Sequence, residues 1–107
     1  MDNETTKLVD KIGMPALLDM MAEECIELSH ACLKYSRYLR NVNTVRGKSE
    51  EELVDNIHEE MADVYVILRE LRKVTNFIDN EKIGDTIDFK RKRMNKDLGM
   101  KAESFIF

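Results

Sequence analysis

The chain reads as all-α, and three observations carry that expectation. Apolar residues recur at steps of three and four through two long stretches, the period of a helix that packs along one side. Breakers are scarce, with one Pro and four Gly among 107 residues. The composition, 43% hydrophobic and 36% charged, suits charge-coated helices better than a disordered segment or a β-sheet. A chain of this length supports one core, so a single domain is expected.

Taken in order, residues 1 to 12 include a short amphipathic segment with Leu8, Val9 and Ile12 as its apolar side, closed by Gly13. It is expected to lie over the bundle as a lid or arm. Pro15 suits the first turn of a helix, where its missing N–H is not needed, so the first long helix should run from about Pro15 to Arg40. Its expected packing stripe is Leu18, Met21, Cys25, Leu28, Cys32, Tyr35 and Leu39. Glu24 falls about 70° from that stripe and Glu27 further round. Ile26 and Leu33 point elsewhere, leaving a narrow polar wedge with Glu23, His30, Lys34 and Arg37. A helix apolar on two sides in so small a protein predicts a second subunit.

Asn41 to Lys48 breaks the periodicity and reads as a loop. Ser49, with Glu52 three residues on, is a capping box that opens the second helix, expected to reach Val74 or Phe77. Leu53, Ile57, Met61, Val64, Ile67, Leu68, Leu71 and Val74 form its apolar face. Glu60 lies roughly 30° from the centre of that face, the wrong residue for a core. A third helix is expected from Glu81 to Leu98, ending near Gly99, with Ile83, Ile87, Met94 and Leu98 as its apolar positions. It carries Lys90, Arg91, Lys92, Arg93 and Lys96. These are either a solvated face or a phosphate clamp, in which Lys90 and Arg93, sharing a side by the i, i+3 rule, hold phosphate oxygens. The last residues, Glu103 to Phe107, form an apolar tail expected to dock on the core or on a neighbouring subunit.

Cys25 and Cys32 are seven residues apart, about 10 Å along a helix, too far for a mutual disulfide. They are expected to be reduced core residues. A net charge of −4 argues against a general nucleic-acid binder, which needs a surplus of Lys and Arg. No apolar run approaches a membrane span and no leader precedes the first helix, so no membrane is expected as a partner and the expected location is cytoplasmic.

The chemistry is concentrated in two acidic pairs. Glu60 and Asp63 are neighbours on one helix, as are Glu24 and Glu27 on another, and a carboxylate taken out of water needs a cation or hydrogen bonds. Four carboxylates converging between two helices offer an all-oxygen ligand set of the kind that suits Mg²⁺ or Mn²⁺. The plainer alternative is that these acids sit on solvated faces, as most i, i+3 acidic pairs do.

The run Glu23-Glu24-Cys25-Ile26-Glu27, followed by Glu60-Met61-Ala62-Asp63-Val64, resembles the EExxE and ExxD motifs of the MazG-like, all-α nucleoside triphosphate pyrophosphohydrolases. The resemblance extends over nearly the whole chain, from the first long helix to the basic third one. It implies a MazG-like helical bundle completed by oligomerisation, as a homodimer or homotetramer. It also implies Mg²⁺, with Mn²⁺ able to substitute, held by Glu24, Glu27, Glu60 and Asp63. Glu23 or Glu27 becomes the candidate for orienting the attacking water, and Lys90 and Arg93 for binding the triphosphate. The implied reaction is hydrolysis between the α- and β-phosphates of a nucleoside triphosphate, giving a monophosphate and pyrophosphate. Asn41, Asn43 or Tyr65 are candidates to meet the base. The sequence departs from the family in the thirty-two residues between Glu27 and Glu60, a longer interval than usual.

Two rivals stand beside this reading. Glu27 and His30 form an ExxH pair of the kind used by dimeric di-iron carboxylate proteins. A helical interaction module without catalysis would make the stripes plain core and the acids surface charge.

Overall fold

The computed structural model describes residues 6–41 and 47–99, and the chain divides into two compact units, Met1–Lys73 and Val74–Phe107. All regular structure among the described residues is helical: α1 (Leu8–Ile12), α2 (Met14–Leu39), α3 (Glu50–Arg72) and α4 (Asn80–Leu98). No helix among them is long and apolar enough to cross a membrane.

In the first unit, Gly13 joins α1 to α2. Its φ of +84° is a left-handed value that costs a side chain with a Cβ but not glycine. It lets the Gly13 N–H close α1 on the Val9 carbonyl at 2.8 Å while the Gly13 carbonyl accepts from Leu17 at the start of α2. α2 ends as Arg40 donates to Ser36 and Asn41 to Tyr38, with Asn41 itself at φ +58°. The interval from 42 to 46, including Asn43, lies outside the described residues.

The capping box of α3 forms as the sequence predicts. The Glu52 N–H donates to Ser49 Oγ at 3.1 Å, and the Ser49 N–H donates to Glu52 Oε1 at 3.3 Å. Glu50, Glu51 and Glu52 fill the first turn and Arg69 and Arg72 the last, signs that complement the helix dipole. Arg72, not Val74 or Phe77, ends the helix.

α2 packs chiefly on α3, and α1 touches both. The pair is antiparallel: Tyr35 near the end of α2 donates its hydroxyl to Glu50 Oε2 at the start of α3, at 2.9 Å, while Glu24 further back meets Glu60 further on. Tyr38 stacks on Tyr35, ring centres 6.2 Å apart. At the other end Glu70 fastens α1. Its carboxylate accepts from the Leu8 N–H at 3.1 Å and from Lys73 Nζ at 2.7 Å. The arm expected near the N-terminus is thus a five-residue helix tied to α3.

The packed side of α2 is not the stripe the periodicity suggests. Leu17 and Ala31 are buried, whereas Leu18, Cys25, Cys32 and Leu39 are exposed. The packed side is therefore turned about 70° towards Glu24, and the two cysteines, both free thiols, are surface residues and not core ones. α2 is apolar round much of its girth, so its own pattern is satisfied by either side. α3 carries the choice, because Leu53, Ile67 and Leu71 are buried as its pattern predicts. Met61, at the rim of that face, is exposed.

In the second unit, the Phe77 and Ile78 N–H groups both donate to the Val74 carbonyl in a turn. Asp79 Oδ1 then caps α4 by accepting from the Lys82 N–H at 3.0 Å. Gly99, left-handed at φ +65°, closes α4 by donating to the Asn95 carbonyl, the stop the sequence predicts. The tail from Glu103 to Phe107 lies outside the described residues.

Candidate metal centre

Seven-residue spacing returns a helical position to nearly the same side after two turns. On α2 that ladder reads Leu17, Glu24, Ala31, and on α3 it reads Leu53, Glu60, Ile67. The four apolar members are buried. Each helix therefore carries a glutamate in the middle of the side it presents to the other. Glu24 is nearer the centre of its face than the sequence stripe implied.

The antiparallel packing makes these two places meet. Glu24, Glu60 and Asp63 each offer one carboxylate oxygen, and the three oxygens lie within 4.8 Å of one another. Glu24 and Glu60 are half-buried and Asp63 is exposed at the open edge. Three of the four expected ligands are thus brought together. Glu27, the fourth, is exposed and outside this group, although its charge acts on both Glu24 and Glu60. Glu23 is exposed and adds to the field at Glu24.

The electrostatics follow from that crowding. Partial burial, then Asp63, then Glu27 and Glu23 push the Glu24 carboxyl above its ordinary 4.5. Burial again leads at Glu60, followed by Asp63, Glu27, Glu59 and Glu24, and the shift is again upward. Both groups resist ionising because they are partly taken out of water and because the neighbouring charges are themselves carboxylates. A hard divalent cation would relieve this arrangement, and the all-oxygen donor set has the chemistry to hold one. No histidine belongs to the group, and His30 is exposed. His58 pairs instead with Asp55 on the surface, at 3.6 Å.

Lys90 and Arg93 belong to the second unit. With Phe89, Met94, Asp97 and Leu98 they line one side of α4 around an open concavity of about 440 Å³, so the shared face expected for them is present. Of the residues proposed to meet a base, Tyr65 is largely exposed and Asn41 lies in the turn after α2. One residue escaped the sequence reading. Asn95 is buried at 6% exposure, and neither polar atom of its side chain has a hydrogen-bond partner among the described residues. An Asn between Met94 and Lys96 gives no signal of burial, since its polarity matches the charged run around it.

No family model, no curated protein and no solved structure matches the chain.

Proposed function

We propose that the chain is a nucleoside triphosphate pyrophosphohydrolase dependent on Mg²⁺ or Mn²⁺, of the MazG-like kind, working as a homodimer or homotetramer. One observation carries the reading: two glutamates occupy the packed faces of facing helices and, with Asp63, bring three carboxylate oxygens within 4.8 Å. Acids placed for solubility alone have no reason to stand between Leu17 and Ala31 or between Leu53 and Ile67. The two acidic motifs supply the same residues in the same order.

In this reading Glu24, Glu60 and Asp63 hold the cation, and Glu27 closes the set from the next turn of α2. When bound, the cation neutralises phosphate oxygens and makes a water acidic enough to serve as nucleophile. The chain's own residues do the rest. Glu23 or Glu27 accepts a proton from the attacking water and orients it. Lys90 and Arg93 bind the triphosphate, Arg93 as a fork and Lys90 as a point charge. The products are a nucleoside monophosphate and pyrophosphate.

The test is pyrophosphate release from a panel of ribo- and deoxyribonucleoside triphosphates with either cation, with Glu60→Gln as control. Release by the wild type and not by the variant supports the reading. A helical interaction module predicts no release, no effect of Mg²⁺ on melting, and a Glu60→Gln variant that is neutral or stabilised under every condition.

A further inference from the structure

The acid group opens on one edge of the contact between α2 and α3, and seven-residue steps carry that edge onward. Asp63 stands three residues on from Glu60 at the open side, and Glu27 takes the same offset from Glu24. In two antiparallel right-handed helices these offsets fall on one side of the contact, and the Glu27 charge accordingly acts on Glu60 as well as on Glu24. Seven residues on from Glu27 is Lys34, and seven back from Asp63 is Asn56. Both steps run the same way, towards the end of α2 and the start of α3, and each covers about 10 Å of helix.

The two directions along this edge differ. Seven residues the other way from Asp63 is Glu70, whose carboxylate already accepts from the Leu8 N–H at 3.1 Å and from Lys73 Nζ at 2.7 Å. That end is therefore taken by α1. Towards Lys34 the edge is open. With Glu24 level with Glu60 and Tyr35 with Glu50, the half-buried Asn56 comes level with Leu28, and Lys34 with the first turn of α3. Lys34 is exposed, and no ion pair engages it among the described residues. Glu52, which the helical rotation brings to the same edge, is occupied by Ser49, accepting from its N–H at 3.3 Å and its Oγ at 3.1 Å. The Lys34 stem leaves the helix leaning towards the α2 N-terminus, as every Cβ does, and so back towards Glu27. Lys90 and Arg93 belong to the second unit, whereas Lys34 is a cation of the unit that carries the acids.

We infer that Lys34 and Asn56 bind the pyrophosphate end of the nucleotide, which lies along this edge pointing away from α1. Asn56, about 6 Å along α3 from Glu60, donates its amide N–H to a phosphate oxygen beside the acids. Lys34 meets the terminal phosphate as a point charge. An anion laid the other way would run towards the Glu70 carboxylate. The inference rests on the pyrophosphohydrolase reading and adds to it two substrate-binding residues and the direction in which the leaving group lies.

Titration calorimetry with magnesium pyrophosphate tests it, beside thermal melts with Mg²⁺ alone. Lys34→Met should raise Kd for magnesium pyrophosphate about tenfold, the equivalent of one charge-assisted hydrogen bond, and Asn56→Leu about fivefold, the equivalent of a neutral one. Lys34→Arg, which keeps the charge, should retain most of the affinity. The rise in melting temperature with Mg²⁺ alone should persist in all three variants, because none of them removes a carboxylate. In a wild type that gains from Mg²⁺ and releases pyrophosphate from a nucleotide, unchanged affinity in Lys34→Met and Asn56→Leu would overturn this inference and leave the pyrophosphohydrolase reading standing. Failure of the wild type to bind magnesium pyrophosphate, or loss of the Mg²⁺ effect in Lys34→Met, which would make Lys34 a support for the acids, would overturn it likewise. A wild type that releases no pyrophosphate from any nucleotide overturns the underlying reading, and this inference with it.

Discussion

Glu24 and Glu60 face each other from equivalent places on two antiparallel helices, each the polar member of an otherwise buried seven-residue ladder. An apolar pair at these positions would pack the helices better, and two partly desolvated carboxylates oppose the contact until a cation joins them. In the proposed reading the pair is a stability cost without metal and a binding site with it, and the two halves of that statement are separately measurable.

Glu60→Gln should raise the melting temperature in EDTA, because it removes one of the repelling charges. If the proposed reading holds, millimolar Mg²⁺ should stabilise the wild type by mass action and not this variant, whose pyrophosphate release should fall by about 100-fold or more, the upper end of what disturbing a metal site costs. Thermal melts with and without Mg²⁺ check the first two outcomes. A variant that still gains from Mg²⁺ as the wild type does would show that Glu60 is no ligand.

The pH dependence has a defined sign. Glu24 and Glu60 have folded-state values raised above 4.5, so they bind protons more tightly folded than unfolded. Their contribution to metal-free stability is fully present below the unfolded value and is lost as pH rises through the raised folded values. Melting in EDTA across the acid range should show this loss, and Glu24→Gln with Glu60→Gln should flatten it. Mg²⁺ affinity should move the other way, weakening as pH falls and protons compete for the same oxygens.

Glu70 has the opposite sign. The Lys73 hydrogen bond first, and then that from the Leu8 N–H, hold its carboxyl below the ordinary value against the effect of burial. Its contribution is present above the unfolded value and is lost as pH falls through the lowered folded one. Glu70→Ala should cost about 1.5–3 kcal/mol in urea unfolding, the range for hydrogen bonds to a charged group. Hydrogen exchange in α1 should speed up in that variant, because the Leu8 N–H loses its acceptor.

Leu17 is fully buried, and Leu17→Ala should destabilise by about 2–5 kcal/mol. Leu18→Ala, one residue on and exposed at 49%, should cost the isolated chain far less. Chemical denaturation of the two variants at low concentration tests which side of α2 packs on α3. Equal costs would contradict the packing described.

In Lys90→Ala or Arg93→Ala, KM for the nucleotide should rise about tenfold, the equivalent of one charge-assisted hydrogen bond. The Mg²⁺-dependent rise in melting temperature should persist in both. Steady-state kinetics beside thermal melts separate phosphate binding from metal binding.

Much of this protein is legible in its residues because helix ends are local events. Ser49 and Glu52 cap α3, Gly99 stops α4, and Gly13 with Pro15 starts α2, each through side chains or backbone freedom within a few residues. The acidic positions are legible for the same reason, since Glu60 interrupts an apolar face whose period is unambiguous. The packed side of α2 is different. Leu17, Leu18, Cys25, Leu28, Ala31 and Cys32 spread apolar character over most of the helix, and periodicity has no means of ranking two overlapping faces. Only the surface of α3 decides, and its choice moves Glu24 to the middle of the contact, turns Cys25 and Cys32 to the outside and leaves Glu27 beyond the oxygen cluster. The sequence by itself determined the helices, their ends and the acids they carry. Tertiary structure decided which acids meet, because that depends on how one helix rotates against another, and the energy of that rotation comes from surfaces far apart in the chain.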